Sequence, residues 1–259
     1  MIDSHSHIYC DAFDTDREEM LLRAREAGVT HIVMPNENLE SISRLKAVYD
    51  AHPQFVSMTI GLHPEEIGDD YHEQLQAMHQ MLAEGTMPFV AVGEIGIDLY
   101  REQDKRDEQL EALDTQLRWC KEFDLPFIIH CRDGVAECLE VMDNFGEPLP
   151  KGVFHSFTGT PADIEAIRKR GDFYFGVNGI VTFKKSEVKA NLPVIGLDRL
   201  LETDAPYLAP VPKRGKRNES AFTAHVCNFV AAEMGVSPAE IDEITTRNAC
   251  ELFRLNNNL

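Results

Sequence analysis

Eight short runs of β-branched and aromatic residues, each followed by a longer stretch of mostly helical period, set the tightest limit on what this chain can fold into. The runs cover residues 1–5, 30–34, 56–61, 89–93, 126–130, 152–155, 173–177 and 199–203. Apolar runs of this length bounded by turn residues read as strands. Between them, residues 104–123 place Leu110, Leu113, Leu117 and Cys120 on one helical stripe, and Gly28 stops a helix after Ala27. Thr160-Pro161-Ala162-Asp163 and Ser237-Pro238-Ala239-Glu240 each open a helix with a hydroxyl cap, a proline at the first position and an acid two residues on. Eight such units, with no internal repeat and no linker, predict an α/β fold: one (β/α)8 TIM barrel over residues 1–259, and not an open sheet. The length agrees, since such barrels run to about 250 residues.

Composition narrows the function classes. With 44 acidic and 25 basic residues the net charge is −19, which argues against broad electrostatic attraction to nucleic acid. Charges more than about 8 Å away are largely screened at physiological salt, so a local basic loop can still hold a phosphate. The six cysteines form no Cys-x-x-Cys pair, and free thiols are expected. No apolar run approaches the roughly 18 residues of a spanning helix, and the start carries Asp3 and two histidines where a secretory signal would place a basic segment. A cytoplasmic protein with no membrane partner is expected.

Candidate chemistry sits at the downstream ends of the predicted strands, where a barrel gathers its active site. His5 and His7 end the first run, His63 follows the third, Glu94 the fourth, His130 and His155 close the fifth and sixth, and Asp204 follows the eighth. Residues two apart in a strand share a face, so His5 and His7 can point together with Ser6 turned away. Any one of these residues alone is unremarkable as a loop or capping residue; their clustering at one end of separate strands is what points to a metal. Omitting His63, His5, His7, Glu94, His130, His155 and Asp204 make six nitrogen or oxygen ligands. A single four-coordinate zinc needs about three of them, whereas a bridged pair of cations uses all six, with Glu94 or Asp204 as the bridge. Paired cations suit in-line phosphoryl displacement, and Asp204 is placed to act as general base. His31, His52, His72, His79 and His225 read as structural or surface residues.

The motifs also resemble a known family over nearly the whole chain. Asp3-Ser4-His5-Ser6-His7, Gly61-Leu62-His63-Pro64, Gly93-Glu94-Ile95-Gly96-Ile97-Asp98, His130-Cys131-Arg132-Asp133, His155-Ser156-Phe157-Thr158-Gly159, Glu202-Thr203-Asp204-Ala205-Pro206-Tyr207-Leu208 and Arg214-Gly215-Lys216-Arg217-Asn218-Glu219 are similar to those of the TatD metal-dependent deoxyribonucleases. The resemblance implies a two-metal hydrolase of DNA phosphodiesters using magnesium, manganese or zinc, with the same six ligands and with Glu94 and Asp204 as catalytic groups. The family commonly has an aromatic pair after the Gly-Glu-Ile-Gly aspartate and a proline after Asn-Glu; here Leu99-Tyr100 and Ser220 stand there.

Expected substrate contacts are His63, Arg132, Asp98, Tyr100, Lys216 and Arg217, with Arg132 as a two-pronged phosphate donor and Tyr100 or Phe157 as a stacking surface for a terminal base. The acidic balance favours single-stranded or frayed DNA ends digested exonucleolytically. Two other readings stay open: an amidohydrolase or esterase of a small carbonyl substrate, and a barrel that binds metal or nucleic acid without catalysis. The sequence is compatible with a monomer and specifies no oligomeric state.

Overall fold

The computed structural model describes residues 1–255. Among them, eight strands form one parallel sheet in the order of the chain: β1 (Ile2–Asp3), β2 (His31–Met34), β3 (Val56–Ile60), β4 (Phe89–Asp98), β5 (Phe127–Arg132), β6 (Gly152–Phe154), β7 (Tyr174–Val177) and β8 (Arg199–Leu201). The ring is completed beyond the last registered pair, where Ser4 N–H donates to Leu201 O (3.0 Å) and Asp204 N–H to His5 O (2.9 Å). The sheet is the predicted TIM barrel.

Helices α1 (Arg17–Glu26), α2 (Ile42–Ala51), α3 (Tyr71–Glu84), α4 (Arg106–Glu122), α5 (Val135–Asn144) and α6 (Pro161–Arg168) alternate with the strands, α7 (Leu192–Ile195) is a single turn before β8, and α8 (Thr223–Met234) and α9 (Pro238–Phe253) follow it. Thr160 and Ser237 form reciprocal capping boxes at the starts of α6 and α9, as their sequences predict. Gly28, at φ +89°, ends the first helical unit. The crossover from β7 to β8 departs from the pattern: it is 3-10 turns plus α7.

Both faces of the sheet are covered, which is why the strands read as continuous apolar runs. Outward-facing Ile32, Met34, Met58, Val92, Phe127, Ile129 and Phe154 pack with helix residues such as Met20, Leu45, Leu113 and Leu117. Ile2, Val33, Ala91, Ile128, Val153 and Leu200 fill the inside and meet Ala249, Leu252 and Phe253 of α9. No described helix is long and apolar enough to cross a membrane.

Strand boundaries fall within three residues of those expected except on β4, which runs five residues further and so holds Glu94 within the strand and not at its end. Two glycines that look like strand breakers are the reason. Gly96 sits at φ +141°, with the position of a Cβ only 1.9 Å from His130 O, so glycine alone lets β4 lie against β5 up to Asp98. The register also slips: Val92 pairs with Phe127 but Ile95 with Ile129, three steps against two. Such a bulge re-aims one side chain, here Glu94, into the mouth.

Candidate metal centre

Strand alternation delivers the site. Ile128 and Val153 are registered partners facing the interior, and two residues further along each strand stand His130 and His155. From the first strand end, His5 and His7 bring their Nε2 atoms within 3.3 Å of each other, while the Ser6 hydroxyl turns away to Ser220 (3.2 Å) and Thr203 (3.3 Å). All six expected ligands converge at the C-terminal mouth.

Glu94 is the centre of the group. Its Oε2 lies 3.0 Å from His5 Nε2 and 3.7 Å from His7 Nε2, and its Oε1 lies 3.0 Å from His130 Nδ1 and 3.6 Å from His155 Nε2. Asp204 Oδ1 stands 3.6 Å from His7 Nε2 and 3.8 Å from His5 Nε2. Donor atoms each about 2.1 Å from one ion are roughly 3–3.5 Å apart, so several of these separations are those of a shared cation and the longer ones need a small closure. The donors also group as ligand sets: His5, His7 and Asp204 form one, and His63, Glu94 and His130 another. Imidazole nitrogens and carboxylates buried together in this way fit a divalent metal.

Outer partners fix which nitrogen His7, His63 and His130 offer. His130 Nε2 meets Asp98 Oδ2 at 2.9 Å, leaving Nδ1 for the Glu94 side. His155 Nδ1 lies 3.0 Å from Glu202 Oε1, which also accepts the Ser156 N–H at 2.6 Å. His7 Nδ1 reaches the Tyr9 hydroxyl (3.0 Å), which donates to Glu37 (2.8 Å). His63 Nδ1 accepts from the Glu65 N–H (3.1 Å), so its proton is on Nε2, 3.4 Å from Glu94 Oε1. Glu202, Tyr9 and Glu37 escape the sequence reading. For Glu202 a signal existed, because it lies two residues beyond inward-facing Leu200.

The electrostatics follow from packing acids against imidazoles away from water. Burial works against charge on Glu94, yet the surrounding His5, His63 and His155 and the bond from His130 hold it well below the usual carboxylate range. Burial likewise opposes ionisation of Asp98, but the His130 and Arg101 hydrogen bonds bring it down to about 2. Asp204 is lowered against its burial by His7, His155 and His5. In return, and again against burial, His130 is raised to about 10 by Asp98 and Glu94, and His155 to about 9 by Glu202 and Glu94. His5 goes down through burial and the neighbouring His155. Carboxylates held ionised among buried imidazoles make a set whose negative charge a divalent cation can neutralise.

A cavity of about 680 Å³ opens over these residues, and its lining mixes Arg101 and Arg132 with Glu37, Glu65 and Glu66, Arg101 standing 3.6 Å from Glu65. His63 and Arg132 line it, and the Arg132 guanidinium lies 3.8 Å over the exposed Tyr100 ring. Four expected contacts change. Asp98 is fully buried and holds His130, so it does not face substrate. Arg217 is spent on Asp16, with two bonds of 2.7 Å, and Lys216 is exposed outside the cavity lining. Phe157 is packed against Phe154 and Phe175 in the core and offers no stacking face.

Residues 2–254 match the family described as TatD related DNase. The chain is 34% identical over 258 residues to the uncharacterized metal-dependent hydrolase YabD of Bacillus subtilis, covering 99% of this chain and 100% of that one. It is 38% identical over 264 residues to the 3'-5' ssDNA/RNA exonuclease TatD of Cronobacter sakazakii, covering 99% and 98%. Among solved structures, the TatD homolog YJJV from Escherichia coli superimposes with a TM-score of 0.88 at 29% identity, over 99% of this chain and 98% of the other.

Proposed function

The chain belongs to the TatD family of DNases, and from that premise and the geometry above we propose that it is a two-metal phosphodiesterase that removes nucleotides from the ends of single-stranded or frayed DNA. One observation carries the reading: the two Glu94 oxygens face opposite ways, Oε2 toward His5 and His7, Oε1 toward His130 and His155. A carboxylate so placed would be able to bridge a cation pair, which His5, His7 and Asp204 would hold on one side and His130 and His155 on the other. Two divalent cations bound there, magnesium, manganese or zinc, would neutralise the phosphate, polarise it and lower the pKa of the attacking water.

The protein's own groups supply position and proton transfer. Asp204, ionised and open to the cavity, accepts the proton of the water through its carboxylate as general base. His63 donates its Nε2–H to a phosphate oxygen, a role its backbone-fixed tautomer supports. Arg132, kept flat on Tyr100, forks onto the phosphate of the departing or preceding nucleotide. Glu37 and Glu66 in the lining add negative charge that disfavours a strand continuing over them, which favours chain ends over internal bonds. The names of the curated relatives, 3'-5' ssDNA/RNA exonucleases, support the same end-directed activity. The six cysteines are unpaired, which supports a cytoplasmic setting.

Metal analysis of freshly purified protein, followed by digestion of 5'- and 3'-labelled single-stranded oligonucleotides with each cation, tests the proposal. About two ions per chain and stepwise shortening from one end are expected. Turnover of lactones or amides without any DNA cleavage would overturn it.

A further inference from the structure

The basic run Lys213-Arg214-Gly215-Lys216-Arg217 points to a nucleic-acid contact by its charge, but three of its four charged side chains are engaged within the chain, and the fourth, Lys216, is exposed. Arg217 binds Asp16 through both guanidinium nitrogens at 2.7 Å and lies 4.4 Å over Phe13, Arg214 lies 3.7 Å over Phe183, and Lys213 stands 5.1 Å over Phe222. Two residues on from Arg217, Glu219 takes Arg23 of α1 at 2.6–3.1 Å, and Arg23 also reaches Asp16 at 3.1 Å. Four charges therefore pin the loop on either side of Asn218. Asn218 itself is fully buried. Its amide donates to Thr203 O (2.8 Å) and to Tyr207 O (2.6 Å), and its backbone N–H donates to Pro206 O (3.0 Å).

Those carbonyls bracket Asp204. Its backbone lies at φ +60°, a left-handed conformation that few residues other than glycine hold unaided. The turn after it is closed by the Tyr207 N–H on Asp204 O at 2.8 Å. We infer that Asn218 is a positioning residue for Asp204, and that the loop carrying it is a brace for the metal centre and not a nucleic-acid contact. The inference rests on the role proposed above for Asp204. A side chain that donates to both flanks of the turn fixes where the Asp204 carboxylate points, and the Arg217–Asp16 and Glu219–Arg23 pairs fix Asn218 in turn.

The test uses Asn218→Ala and Asn218→Leu, the second keeping the branched shape, at a larger volume, while donating nothing. Kinetics on a single-stranded oligonucleotide are expected to show kcat reduced about 10- to 100-fold, the range for loss of an outer partner of a metal ligand. KM and its salt dependence stay as in wild type, whereas a lost nucleic-acid contact raises KM and flattens the salt slope. Calorimetric titration of metal-free protein with manganese(II) gives a second readout independent of any substrate: part of the ion uptake weakens about tenfold. Glu219→Gln, which loosens the anchor without emptying the core, repeats both effects at smaller size should the Asn218 variants unfold. A raised KM with intact kcat, or unchanged manganese affinity, overturns the inference. Wild type that cleaves no DNA, together with weakened manganese binding in the variants, sinks the nuclease reading and leaves the brace standing.

Discussion

Glu94 brings one negative charge and two oxygens to a point where five imidazoles meet, and its neighbours hold it ionised despite full burial. Replacing it with glutamine keeps the shape, removes the charge and leaves an amide N–H₂ facing ring nitrogens. Glu94→Gln is expected to lower metal content well below that of wild type by elemental analysis and kcat by roughly three orders of magnitude. Wild-type metal content in the variant would refute the bridging role. Asp98→Asn is a milder case, because Asp98 acts through His130: metal affinity or activity should fall about 10- to 100-fold, with KM for DNA little changed. A rise in KM alone would restore Asp98 as a substrate contact. At this scale the convergence of the six candidate ligands is legible in the sequence because strand ends and residue types coincide. The holders are not, since the partner of His130 or His155 is an ordinary acid until the ring nitrogen it meets is seen.

The strands are legible where they are apolar on both faces, and less so where function interrupts them. On β4 the glycines of Gly93-Glu94-Ile95-Gly96 look like an end, yet they are what permits the close β4–β5 approach and the bulge that turns Glu94 inward. On α4 the hydrophobic stripe is correct, but Gln109 and Gln116 are also fully buried, where they bond the backbone at Asp98 and Leu62 at the strand ends; periodicity of apolar residues cannot reveal that. Gly176 on β7 is a third example. A Cβ there would stand 2.4 Å from Glu202 Oε2, so the absent side chain makes the space in which Glu202 holds His155. Because the colliding atoms are the mobile end of a side chain, Gly176→Ala should cost only about 1 kcal/mol in urea unfolding. Displacing Glu202 should nevertheless weaken metal binding about tenfold by calorimetry. Equal metal affinity in wild type and variant would show that Glu202 does not support His155.

The barrel as a whole separates stability from chemistry along its axis, with the candidate ligands at the C-terminal ends of the strands and a different polar residue at the start of β2. His31 is buried there, its Nε2 2.8 Å from the Ser57 hydroxyl, and burial pushes its pKa down to about 4. In the unfolded chain the same imidazole titrates near its ordinary value of 6.5. Between these values the unfolded state binds a proton that the folded state does not, so stability falls as pH drops from about 6.5 toward 4 and this contribution levels off below. At 1.36 kcal/mol per unit, lowering the pH from 7.5 to 5 should cost about 2 kcal/mol through this residue. His31→Gln removes the titrating group and keeps a partner for Ser57. Its urea-unfolding free energy should therefore lose about 2 kcal/mol less than wild type over that interval, while kcat at pH 7.5 is unchanged because His31 lies at the opposite end of β2 from the mouth. Carboxylates titrate in both proteins alike and cancel in the difference. Parallel pH slopes for the two proteins would mean that His31 is protonated in the folded barrel, and that the polar inside of its N-terminal end holds a charge that burial alone forbids.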